Sequence, residues 1–305
     1  MPLIDADRAR RALAALAETS RACQSTVTAS AQRYIGDFAR EVSEHLPGQW
    51  TVQVENYGLS VWQDDLAAGL WATGPILRHL QHNRVPSAAI LQSEAGTELA
   101  IVHDPFSRVY HVGMLAPKDM YLDESVTPPP SISVHPAAVP AARKIISSLL
   151  PSYHRAVFET QLNHLADDLA WAQEEFEPGA VQDPPQQDLA KAFDRFTAIA
   201  PHIIASLRTN DALAFDARER AVLEHMDAAF GQPGPGREDA GTARENPSLD
   251  LLAMWMTEGE GLVELARSAA RAGTTQTALG LVRAVEVPRA LPSSPTQVGA
   301  GPSRR

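Results

Sequence analysis

The residues of this chain that could do chemistry fall into three loose groups. His79 and His82 stand three apart, a spacing that on a helix puts both imidazoles on one face, as a metal pair requires. No carboxylate lies at matching spacing, so Asp64 or Asp65 would have to be delivered by the fold. His103, Asp104, Tyr110 and His111 surround a turn and hold an acid–base inventory if strand register gathers them on one face. With the loop at Asp104 to Ser107, His103 pairs with Arg108, and Leu99, Ile101, Tyr110 and Val112 share a face. His111 then points to the face opposite His103, because the strand period is two. A one-residue shift would reunite the two histidines, yet would place Ile101 beside His111 rather than Tyr110. The first register is preferred, and it takes the set apart. The third group, His164 with Asp167 and Asp168, flanks an apolar stripe through Leu165 and Leu169, a pattern that fits i,i+4 pairing or an interface rim.

Familiar catalytic signatures are absent. Lysines occur only at 118, 144 and 191, none in a Gly-rich loop, so no phosphate cradle of the Walker type exists. No Gly-x-Gly-x-x-Gly turn, Gly-x-Ser-x-Gly elbow or His-Glu-x-x-His pair is found. Cys23 is the sole cysteine, which excludes intrachain disulfides and thiolate clusters, and no neighbour marks it as a nucleophile. No ligand set with short spacing is complete, so the sequence assigns no catalytic, cofactor-binding or metal residue, and no bound transition metal is expected. Trp50 and Trp62 bracket the first expected hairpin and are placed in the core. In the N-terminal helix, Arg8, Arg10, Arg11, Arg21, Arg33 and Arg40 are matched one for one by Asp5, Asp7, Glu18, Asp37, Glu41 and Glu44. That is a mixed-charge surface rather than a basic stripe for nucleic acid.

These residues must be held by elements that the hydrophobic periodicity locates. Leu3 to Leu46 reads as helix, with a break in the Ser/Thr-rich stretch Ser20 to Ser30 and an end at Pro47-Gly48. Trp50 to Gln63 alternates like two strands about a Tyr57-Gly58 turn, pairing Val54 with Val61. Asp64 to His82 is a loop and short helix. Ala88 to Gln92, Glu98 to His103 and Arg108 to Leu115 are three further strands, and Ile132 to His135 can add a short one. Helical patterns follow over Ala137 to Phe176, Leu189 to Leu207, Phe215 to Phe230 and Leu249 to Ala272. Pro151 should kink or split the first of these, Pro201 interrupts the second, and Gly259 and Gly261 weaken the last.

The expected organisation is therefore α+β. An N-terminal helix packs on a mostly antiparallel five-stranded sheet over 1–125, followed by a Pro-rich linker over 126–136. An all-helical part over 137–230, a disordered linker over 231–247, a helical segment over 248–287 and a disordered tail over 288–305 complete the chain.

Of the net charge of −11, residues 1–155 carry −2 and residues 156–305 carry −9, so the acidic C-terminal half repels a phosphate backbone. No uncharged apolar run approaches the ~20 residues a membrane helix needs, and the N-terminal stretch lacks the apolar core of a signal peptide. The expectation is a soluble, cytoplasmic, non-enzymatic interaction or scaffold protein, with a protein partner or self-association through residues 137–272. The alternatives are an enzyme assembled from dispersed His and Asp residues of the N-terminal part, and a nucleic-acid accessory factor using the N-terminal arginines.

Overall fold

A computed structural model of the chain describes residues 6–25, 33–118, 120–175, 187–208, 215–230 and 249–272. The first apolar segment divides into α1 (Ala6–Ala22) and α2 (Ile35–Ser43). Only α2 buries its stripe, through Ile35, Phe38, Ala39 and Val42, whereas Leu13 and Leu16 of α1 are 57% and 54% exposed. The helix on the sheet is thus α2 rather than the whole expected segment.

Five strands, β1 (Trp50–Asn56), β2 (Ser87–Ser93), β3 (Glu98–Asp104), β4 (Val109–Met114) and β5 (Ile132–Val134), form one antiparallel sheet in sequence order. The expected hairpin about Tyr57-Gly58 does not form. A two-residue turn there would need positive φ, and Gly58 is not among the residues that adopt it. Instead Tyr57 is buried, its N–H donating to the Pro86 carbonyl at 2.9 Å, and Ser60–Gly69 forms α3. The partner of β1 is therefore β2, and the fifth strand comes from the Pro-rich segment at Ile132–Val134.

Alternation along the strands separates two faces. Leu91, Leu99, Ile101, Tyr110, Val112 and Met114 meet α2, with Phe38 stacked on Tyr110 at a ring separation of 3.8 Å. On the opposite face α3 and α4 (Pro75–His82) lay Leu66, Ile76 and Leu80 over Ala88, Ala100 and Val102.

After β5 come α5 (Ala138–Lys144), a five-residue π-helical turn (Ile145–Leu149) and α6 (Leu150–Glu175). The split expected at Pro151 takes the form of that wide turn, which accommodates a ring that lacks an N–H and crowds the preceding carbonyl. Ile145, Leu149, Tyr153 and Val157 share the core of the sheet. From Phe158 onward α6 belongs instead to the core built with α7 (Gln187–Arg208), α8 (Ala217–Phe230) and α9 (Leu249–Ala272). α7 continues through Pro201. Gly259 and Gly261 sit at close-packing positions: a Cβ on Gly259 would lie 2.9 Å from Trp255 and 3.3 Å from Leu169, and one on Gly261 3.1 Å from Val222.

The helical stripes cover one another. Leu165, Leu169, Phe193, Phe196, Trp255 and Leu262 are all 3% exposed or less. Among the described residues of 137–272, the span expected to meet a partner or a second copy, the large apolar side chains left exposed are Val139 and Ile146. No described helix is long and apolar enough to cross a membrane. The linker at 231–247, the part of the 248–287 segment beyond Ala272 and the tail at 288–305 lie outside the described residues.

Candidate functional site

The register between β3 and β4 decides what chemistry the sheet presents. His103 pairs with Tyr110 and Asp104 with Val109, so the turn begins at Pro105 and Asp104 remains in the strand. This replaces the expected pairing of His103 with Arg108. The face assignment holds nonetheless: His103 lies against the Tyr110 ring at 4.8 Å, and His111 points to the other face. Retaining Asp104 in β3 puts its carboxylate on the face of His111, diagonally across the two strands, with Asp104 Oδ2 3.6 Å from His111 Nε2.

His79 arrives from above. The first turn of α4 is fixed to the start of β5 by Ser131, whose Oγ donates to the Thr73 carbonyl at 2.6 Å and accepts from the Ile76 N–H at 3.2 Å. The far end is fixed by the buried Gln63, which donates to the carbonyls of Leu80 and Asn83 at 2.7 and 2.8 Å and accepts from Val85 N–H at 2.9 Å. With Ile76 and Leu80 buried against the sheet, His79 faces it as well. Its ring stands 5.2 Å from that of His111, and its Nδ1 3.9 Å from Asp104 Oδ2.

Both histidines are under one-tenth exposed. Burial pushes the His111 imidazole below its ordinary value, helped by the neighbouring His79 and opposed by Asp104. Burial likewise lowers His103. For Asp104 burial works upward, but hydrogen bonds from the Ser107 hydroxyl (2.5 Å) and from the N–H groups of Phe106 and Ser107 outweigh it and hold the carboxyl at about 2. His111 Nδ1 is 2.9 Å from the hydroxyl of Ser133, its direct cross-strand partner on β5. Ser133 was invisible to motif reading because its role arises only from strand pairing.

The other candidates do not assemble. His82 is on the exposed side of α4 and bonds back to the Arg78 carbonyl at 2.8 Å, so the His79/His82 pair is not used together. Asp64 and Asp65 lie exposed on α3, and the carboxylate that meets His79 is Asp104. Asp168 forms a two-point ion pair with Arg195, at 2.6 and 2.8 Å, and Asp167 is exposed. His164 stands by the Tyr121 ring at 6.3 Å, and Cys23 is exposed. Arg33 and Arg40 of the arginine set are ion-paired with Glu41 and Asp37.

A second feature occupies the opposite end of the same face. Where α3 leaves the sheet uncovered, an open groove of about 680 Å³ runs beside the edge strand β1, with Thr51 and Gln53 on its floor and Trp62 on its wall. Trp62 is 47% exposed, a correction to its expected place in the core, while Trp50 is half-buried with its Nε1–H donating to the Pro47 carbonyl at 2.8 Å. Three carboxylates line the groove, Glu55, Asp65 and Glu98, against one ammonium, Lys118, which is bound to Glu98 at 2.6 Å.

The chain matches no known family model, no curated protein and no solved structure.

Proposed function

We propose that this protein is a non-enzymatic interaction module that takes an extended polypeptide segment into the groove between β1 and α3. The open groove with its exposed indole carries this reading. Its lining is polar enough to satisfy a peptide backbone, and the adjoining β1 is an edge strand with no described strand on its outer side, the arrangement used when a peptide adds to a sheet. Trp62 supplies an aromatic anchor, with Leu59 and Val61 exposed beside it at 57% and 54%. The surplus of carboxylates favours a segment carrying Lys or Arg beside an apolar residue. A cytoplasmic setting accords with the exposed lone thiol of Cys23.

Selection of a random peptide library on the full chain tests this. Enriched peptides should be basic with an apolar anchor, and Trp62→Ala should weaken them about thirtyfold. Asp65→Lys should weaken the basic ones selectively. No enrichment, or enrichment indifferent to both substitutions, would remove the groove from consideration.

A further inference from the structure

We infer that His79, Asp104 and His111 are the protein ligands of a divalent transition-metal site of the zinc class, lying beneath α4 and separate from the groove. One nitrogen from each ring and one carboxylate oxygen lie within 4.8 Å of one another. Metal–ligand bonds of about 2.0–2.1 Å would set tetrahedral neighbours about 3.3 Å apart, so side-chain shifts of about 1 Å close the set. Two imidazoles and a carboxylate form the donor group of open three-ligand zinc sites, in which a water completes the tetrahedron.

The surroundings supply what such ligands need. The Ser133 hydroxyl, on His111 Nδ1, fixes the ring so that Nε2 faces Asp104, the outer-shell contact metal-bound histidines characteristically make. The Asn83 side-chain amide lies 3.3 Å from His79 Nδ1, the nitrogen nearest Asp104; donating there it favours the Nε2–H tautomer, and a metal bound at Nδ1 takes the place of that hydrogen bond. Asp104 is already pinned by Phe106 and Ser107, so little order remains to be imposed on it. A plain charge network explains the cluster less well. At 3.6 and 3.9 Å from Asp104 Oδ2 both histidine nitrogens stand beyond hydrogen-bond distance of the carboxylate. The sequence expectation of no metal followed from ligand spacing alone; the three residues are 25 and 7 positions apart and meet only through tertiary packing.

The test is calorimetric titration of the full, metal-stripped chain with zinc ion alone, paired with cobalt absorption spectra. One ion per chain should bind, and cobalt should show the visible bands of a tetrahedral site. His79→Gln and His111→Gln should each weaken binding at least about tenfold, Ser133→Ala should weaken it less, and His82→Gln should leave it unchanged. Circular dichroism confirms folding of each variant, and should a glutamine variant unfold, the cobalt spectrum of the unmodified chain decides. No saturable binding, no tetrahedral bands, or affinity unchanged in both glutamine variants would overturn the assignment.

Discussion

Gly113 on β4 and Ile76 on α4 approach so closely that a Cβ on the glycine would stand 2.9 Å from Ile76 Cγ2 and 3.3 Å from the Ala72 Cβ. Ile76 is fully buried on a short helix, so relief would require α4 to lift from the sheet. Gly113→Ala should therefore cost about 1–3 kcal/mol, and Gly113→Val more, as read from urea unfolding midpoints. Unchanged midpoints would show that α4 has slack.

Gln63 should be among the most sensitive polar positions. Its amide satisfies three backbone groups around the end of α4, and Gln63→Leu would leave them without that partner. The expected loss is about 3 kcal/mol, with faster hydrogen exchange at Val85 as the local signature.

Stability should fall at alkaline pH because of Tyr57. Burial raises its phenol above the ordinary value of 10.0, and the hydrogen bond to Glu55 with that group's negative charge adds to the shift. A group whose folded pKa is raised contributes fully below the unfolded value and loses that contribution as pH rises past it. Tyr57→Phe should be about 1 kcal/mol less stable at neutral pH, and the gap should narrow above pH 10, as melting curves across pH would show.

In the helical core, Leu165→Asp and Leu169→Asp should unfold rather than dissociate the protein. Both side chains are 2% exposed or less, so either carboxylate would be buried without a partner, at a cost of several kcal/mol. Light scattering over a hundredfold concentration range separates the outcomes: a folded variant of reduced mass would restore an association surface on these helices.

The three strands over 87–114 were legible because alternating apolar residues and turn signals coincide there, as Leu99, Ile101, Tyr110 and Val112 illustrate. The segment after β1 misled because Asn56-Tyr57-Gly58 has the composition of a turn, while the buried role of Tyr57 depends on Pro86, nearly thirty residues on. The site was half legible: alternation alone separated His103 from His111. Uniting Asp104 with His111 needed the true register, and adding His79 needed the packing of α4, which Gly113 permits and no local pattern encodes.

α6 lends its first two turns to the sheet and its remainder to the helical core, where Asn163 donates to Asp123 at 2.6 Å and accepts from Arg267 at 3.0 Å. A rod anchored in both cores transmits denaturation. Melting either end strips a wall from the other, so calorimetry should record one endotherm where two independent domains would give two.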